Sequence, residues 1–139
     1  MTIRLVEIMD VPVEWQSAHA IRALEINNHA PALAGLRKLR RDNPADYKRL
    51  LKALHIACEQ RRPVGDSHIR RCARDGSVHE MRGGNARLFF FYAPSTQEIV
   101  VCTNYYSKTK DSKAEQDAAF DRCRTMRNAY FGSLASKSG

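Results

Sequence analysis

The apolar positions of the chain fall into two rhythms. Near the start, "TIRLVEIM" (Thr2–Met9) is rich in Ile, Val and Leu and is closed by Asp10 and Pro12, the composition of a strand. From Val13 to about Asn28, Trp15, Ala18, Ile21 and Leu24 recur at helical spacing, and Asn27, Asn28 and Pro31 mark an end. This spacing predicts a first helix over Val13–Asn28. A short second helix is expected over Pro31–Arg41, with Leu33, Leu36 and Leu39 on one side. In "DNPADYKRLLKALHIACEQ", Asn43 suits an N-cap, Pro44 the first helical position and Asp46 the first turn. Tyr47, Leu50, Leu51, Leu54, Ala57 and Cys58 make one apolar stripe of this third helix.

The rhythm then changes. "RRPVGDSH" reads as a loop, and "IRRCARDG" as a short strand or irregular approach. Ser77–Arg82, Ala86–Tyr92 and Glu98–Tyr106 read as three strands of an antiparallel meander, the first pair joined by Gly83-Gly84-Asn85 and the second across "APSTQ". Asp111–Phe131 reads as a last helix, and the stretch from about 132 to 139 as a flexible tail. The expected order is β-α-α-α-β-β-β-α in a single α+β domain over residues 1–139, its helices laid on a small antiparallel sheet.

Charge changes the picture. The chain of 139 residues carries a net charge of +8. Residues 1–36 hold two basic and four acidic side chains, whereas residues 37–71 hold eleven basic and four acidic. A basic field of this kind favours nucleic acid or an acidic protein. No apolar run reaches the roughly 18–20 residues of a membrane span. The first ten residues carry two acids and no small-residue cleavage site, so a cytoplasmic protein without a secretory signal is expected. The four cysteines form no CxxC and have no His at zinc-ligand spacing, which predicts small buried thiols and no metal or other cofactor.

Candidate chemistry gathers on the predicted meander. Alternation puts Val78, Glu80 and Arg82 on one strand face and His79 and Met81 on the other. Arg82 and Arg87 flank the glycine turn, so direct pairing sets them opposite each other, where like charges repel. Glu80 on the same face relieves that repulsion, and so would a bound phosphate held by the two planar guanidinium forks. A surface Glu–Arg pair at a hairpin end is the plainer alternative. The last strand closes in "TNYYSKTK", where Tyr105 and Tyr106 precede Lys108 and Lys110; rings beside cations are the ingredients of single-stranded RNA binding. Lys48, Lys52 and His55 share a face of the third helix, either an ordinary solvated surface or a track for a phosphate backbone. There is no G-x-S-x-G, no P-loop ending in Lys-Ser/Thr and no HExxH.

The order "VHEMR", "ARLFFFY", "EIVVCTNYYSKTK", followed by a helix rich in Ala and Arg, resembles the RelE/HigB-type toxins of bacterial toxin–antitoxin modules, in particular the phage-related HigB-like branch. The resemblance rests on Glu80-Met81-Arg82, on Arg87 of the next strand and on Tyr106-Ser107-Lys108, and it covers roughly Ile69–Tyr130. Thr109 stands where the family's second Lys is usual, with Lys110 one place on, and the Pro that often opens the last helix is missing from "DSKAEQ". The resemblance implies a RelE-like fold and an mRNA endoribonuclease acting without metal, typically on the ribosome, and silenced by an antitoxin that is a helix-turn-helix protein. In that reaction a ribose 2′-OH attacks the adjacent phosphate. Arg82, Arg87 and Lys108 would neutralise charge on the phosphate oxygens; Glu80, Tyr106, Lys108 and His79 are the candidate acids and bases; Lys110, Tyr105, Lys48 and Lys52 would bind RNA. Two other functions suit the same chain: a ParE-like inhibitor of DNA gyrase, and a non-catalytic nucleic-acid-binding module.

Overall fold

The structure, a computed structural model, describes residues 1–61, 68–95, 97–108 and 113–138. Its elements are β1 (Ile3–Val6), a 3-10 turn (Val13–Trp15), β2 (Ala20–Ile26), α1 (Pro31–Asp42), α2 (Pro44–Glu59), β3 (Ile69–Arg71), β4 (His79–Gly83), β5 (Ala86–Ala93), β6 (Ile99–Ser107) and α3 (Lys113–Ser138). The class is α+β. The sheet is larger than expected and mixed: six strands in the order β1-β2-β6-β5-β4-β3. All neighbours are antiparallel except β2 and β6, which run parallel over Ala20–Ala23 and Ile99–Cys102.

The helix expected over Val13–Asn28 does not form. Its first residues make only a single 3-10 turn, and Ala20–Ile26 is the second strand of the sheet. The reason is burial on both sides. Ile21 and Ala23 enter the core beneath α1 and α2, while Leu24 and Ile26 join the cluster that includes Met126 of α3. A strand covered on both faces loses the apolar–polar alternation that marks a half-exposed one, and its apolar positions then mimic helical spacing. Asn27 and Asn28 hold φ of 51° and 66°, a left-handed turn that ends the strand.

The other helices keep their expected starts. Pro31 opens α1, and Pro44 opens α2 behind Asn43, whose side-chain oxygen accepts from the Asp46 backbone N–H at 3.2 Å. The described part of the last helix begins at Lys113, and it runs on to Ser138, through most of the stretch expected to be a tail. The loop expected over 61–68 and the proposed start of the last helix at Asp111 lie largely outside the described residues.

The sheet is the middle layer. Met81, Leu88, Phe90 and Cys102 face α1 and α2; Phe89, Phe91 and Val101 face the side of α3. All four cysteines are buried as free thiols, and burial pushes Cys58 and Cys123 up to about 12. None of the helices among the described residues is long and apolar enough to cross a membrane.

Candidate phosphate-binding site

The β4–β5 turn sets the geometry. Gly83 pairs with Ala86, leaving Gly84 and Asn85 as a two-residue loop. Gly84 has φ of 57°, a conformation favourable to glycine, whereas Asn85 stays on the negative side, the pattern of a type II′ turn. The first two turns of α2 lie directly on this end of the hairpin. A Cβ on Gly83 would stand 2.3 Å from the Leu50 backbone nitrogen, and one on Gly84 1.9 Å from Asp46 Oδ1. The Asn85 N–H donates to Asp46 Oδ2 at 3.1 Å, and Arg49 donates to Asp46 Oδ1 at 2.6 Å. Both glycines are therefore required, but for different reasons: Gly83 for close approach, Gly84 for that and for its φ.

From this turn, register carries two arginines and a tyrosine into one row across three strands. Arg82 of β4 faces Arg87 of β5, which faces Tyr106 of β6. The next row places Arg70 of β3 opposite Glu80 of β4. Glu80 has no exposed surface. Arg82 Nε donates to its Oε1 at 2.6 Å, Arg87 Nε lies 3.9 Å from the same oxygen, and Gln116 of α3 donates to both carboxylate oxygens at 3.2 and 3.0 Å. One carboxylate thus lies under two guanidinium groups and is tied to the helix above. Such a charge is costly to bury and is retained only with partners of this quality. Arg87 is itself nearly buried and donates to the Gly84 and Ala86 carbonyls at 2.7 and 3.0 Å. Burial first, and the Arg82 charge second, pull its guanidinium down from its ordinary value.

Tyr106 reaches this face through an irregularity in β6. Leu88 pairs with Tyr105 and Phe90 with Cys102, so Thr103 and Asn104 together oppose Phe89. This extra residue is a β-bulge, and it reverses the alternation beyond it. Before it, odd-numbered Ile99 and Val101 face the side of α3; after it, Tyr106 does, stacked on Phe89 with ring centroids 5.8 Å apart. Tyr105 turns to the opposite layer, so close to α1 that a Cβ on Gly35 would come within 2.4 Å of its ring. Burial, then the Glu80 charge, raise the Tyr106 phenol, so it stays protonated around neutral pH.

Together these groups line a pocket of about 350 Å³ bounded by Arg70, Arg82, Arg87, Tyr106, Lys108, Lys113 and Gln116. Lys108 is held there by its own backbone N–H, which donates to the Asn85 carbonyl at 2.7 Å, returning the chain to the same turn. Five cationic side chains around one concave space, with the buried Glu80 carboxylate beneath, present the charge and the donors that suit phosphate oxygens.

Of the residues singled out from the sequence, Arg82, Arg87, Lys108 and Tyr106 meet at this pocket, with Glu80 under it. His79 does not: it lies on the other sheet face, stacked on Phe90 at 5.1 Å and edge-on to Tyr92 at 5.0 Å. Lys48 and Lys52 are exposed on α2, in the layer across the sheet from α3, and do not line the pocket. Lys110 lies outside the described residues. Arg70, Lys113 and Gln116 were not foreseen. Arg70 could be found only from the β3–β4 register; Lys113 and Gln116 share one turn of α3, with no signal in their own neighbourhood. Among the described residues no group of three His, Cys, Asp or Glu side chains is arranged to hold a metal ion. No protein-family model matches the chain, and no curated protein matches it.

Proposed function

We propose that this pocket takes the phosphates of single-stranded RNA, and that the chain is a RelE/HigB-like toxin that cuts mRNA, on the ribosome, in the cytoplasm, under the control of a helix-turn-helix antitoxin. The observation that carries the reading is the convergence of Arg82, Arg87 and Lys108 with Arg70 and Lys113 on one concave site beside Tyr106.

In the proposed reaction the ribose 2′-OH gives its proton to solvent water as its oxygen forms a bond to the adjacent phosphorus, and the bond to the 5′-oxygen breaks. The products are a 2′,3′-cyclic phosphate and a free 5′-OH. Negative charge grows on the non-bridging oxygens, where fixed guanidinium groups stabilise it without reorganising. The protonated Tyr106 phenol, Lys108 and Lys113 are the groups able to give the leaving oxygen its proton. Glu80, buried beneath Arg82, serves as the anchor that aims the guanidinium.

A second reading has one observation in its favour. The described lining of the pocket holds neither a His nor an exposed carboxylate, the usual bases for a 2′-OH. On that reading the protein binds RNA at the same pocket without cutting it. Primer extension on cellular mRNA after induction without antitoxin separates the two. Cuts within translated frames that vanish in Arg82→Ala and Lys108→Ala, with the fold retained, support the toxin. Intact mRNA with tight RNA binding favours the second reading, and growth arrest with intact mRNA and impaired gyrase a ParE-like inhibitor.

A further inference from the structure

Tyr106 is a wall of more than the cationic pocket. A second cavity of about 340 Å³ lies between the end of β6 and α3, bounded by Tyr105, Tyr106, Ser107, Glu115, Ala118 and Arg122 among others. Its character differs from its neighbour's. Tyr106 is the ring on its strand side, since Tyr105 turns to the opposite layer, while Ala118 and Ala119 leave α3 flat beneath it. Polar groups stand at the ends: Glu115 and Arg122, both exposed, seven residues apart on one helix. Seven residues span about 10.5 Å of helix, room for a flat bicyclic ring between a carboxylate and a guanidinium. Asn104, also on the wall, receives the Thr103 hydroxyl at 2.7 Å and donates to the Ala119 carbonyl at 3.1 Å.

A cationic pocket and an apolar-walled cavity sharing one aromatic side chain fit a ligand with the same division, a phosphate joined to a flat ring. We propose that the β6–α3 cavity holds a nucleobase of the RNA whose phosphate occupies the cationic pocket, and that the base is a guanine. Guanine offers two acceptors, O6 and N7, to an arginine fork, and two donors, N1–H and N2–H, on its other edge to a carboxylate. Arg122 and Glu115 present that pair at opposite ends of the groove. Tyr106 supplies a ring face for stacking, an interaction every base can make, so discrimination falls to Arg122 and Glu115. This inference rests on the phosphate-pocket reading and adds to it the side chains that choose the base.

The test uses the full chain and short uridine-rich RNAs carrying one central guanosine, adenosine or abasic position, with inorganic tripolyphosphate as a probe of the cationic pocket alone. In the wild type, the guanosine RNA should bind at least tenfold more tightly than the abasic one. Ala118→Phe, on the exposed side of α3, should fill the cavity and abolish that advantage while tripolyphosphate binds as before; Arg122→Ala should reduce guanosine to the level of adenosine. Equal affinity for guanosine and abasic RNAs, or a preference for adenosine, overturns the guanine site while the phosphate pocket stands. Failure to bind either RNA or tripolyphosphate overturns both.

Discussion

At the scale of single residues, the site turns on what lies beneath the two arginines. Alternation along the β4–β5 hairpin was enough to place Arg82, Arg87 and Glu80 on one face, because a tight turn fixes register locally. The structure adds that Glu80 is buried and held by Gln116 as well as Arg82. Glu80→Gln should therefore leave the charge of Arg82 but free its direction. RNA affinity should fall about tenfold or more, and the pH dependence of any cleavage should keep its shape; loss of the acidic limb would make Glu80 the base instead. Salt offers a second check. If all five cations meet phosphate, the slope of log affinity against log salt for single-stranded RNA should be about −3.5, and Lys108→Ala should lower its magnitude by about 0.7. The buried thiols give a third. Cys58, Cys72, Cys102 and Cys123 should resist alkylation at pH 8 in the native protein and react together on unfolding.

At the scale of elements, the hairpin and α2 stabilise one another. Gly84 combines positive φ with contact against Asp46, so Gly84→Ala should cost about 2–4 kcal/mol, a left-handed penalty added to overpacking. Asn43→Ala, which removes the α2 cap and the Asn43 hydrogen bond to Asp46, should cost about 1 kcal/mol. Shifts of the urea midpoint at constant slope measure both. The cap was legible in the sequence, since Asn-Pro-x-Asp carries its own physics. The strand Ala20–Ile26 was not. Its neighbours are β1 and β6, the latter nearly eighty residues away, and only that pairing explains why both of its faces are apolar. Arg70 was hidden for the same reason, since an edge strand of three residues has meaning only through β4.

At the scale of the whole molecule, α3 is joined to the sheet by polar links as well as apolar ones. Arg124 donates to Asp75 in the segment before β4, and Gln116 reaches Glu80. The Arg124 hydrogen bond first, and those from Ser77 second, hold the Asp75 carboxyl below the usual carboxylate range. A carboxyl depressed in the folded state contributes stability that is complete above its unfolded value of about 4 and is lost as pH falls through the folded one. Urea midpoints should therefore drop on acidification below about pH 4, and Asp75→Asn should flatten that part of the profile while lowering the midpoint at neutral pH. α3 thus lies over the buried charges on that side of the sheet, and the two cavities it helps to line depend on its seat.

The bulge at Thr103–Asn104 also bears on ancestry. It acts as a one-residue phase slip between the start of β6 and the site it ends in. A related chain lacking it would carry its pocket tyrosine one position earlier, and would match this chain along β6 only with a gap. Aligned without one, Tyr105 would be matched to that chain's pocket tyrosine, whereas a single-codon deletion at Thr103 or Asn104 would remove the bulge and leave Tyr106 on the pocket face.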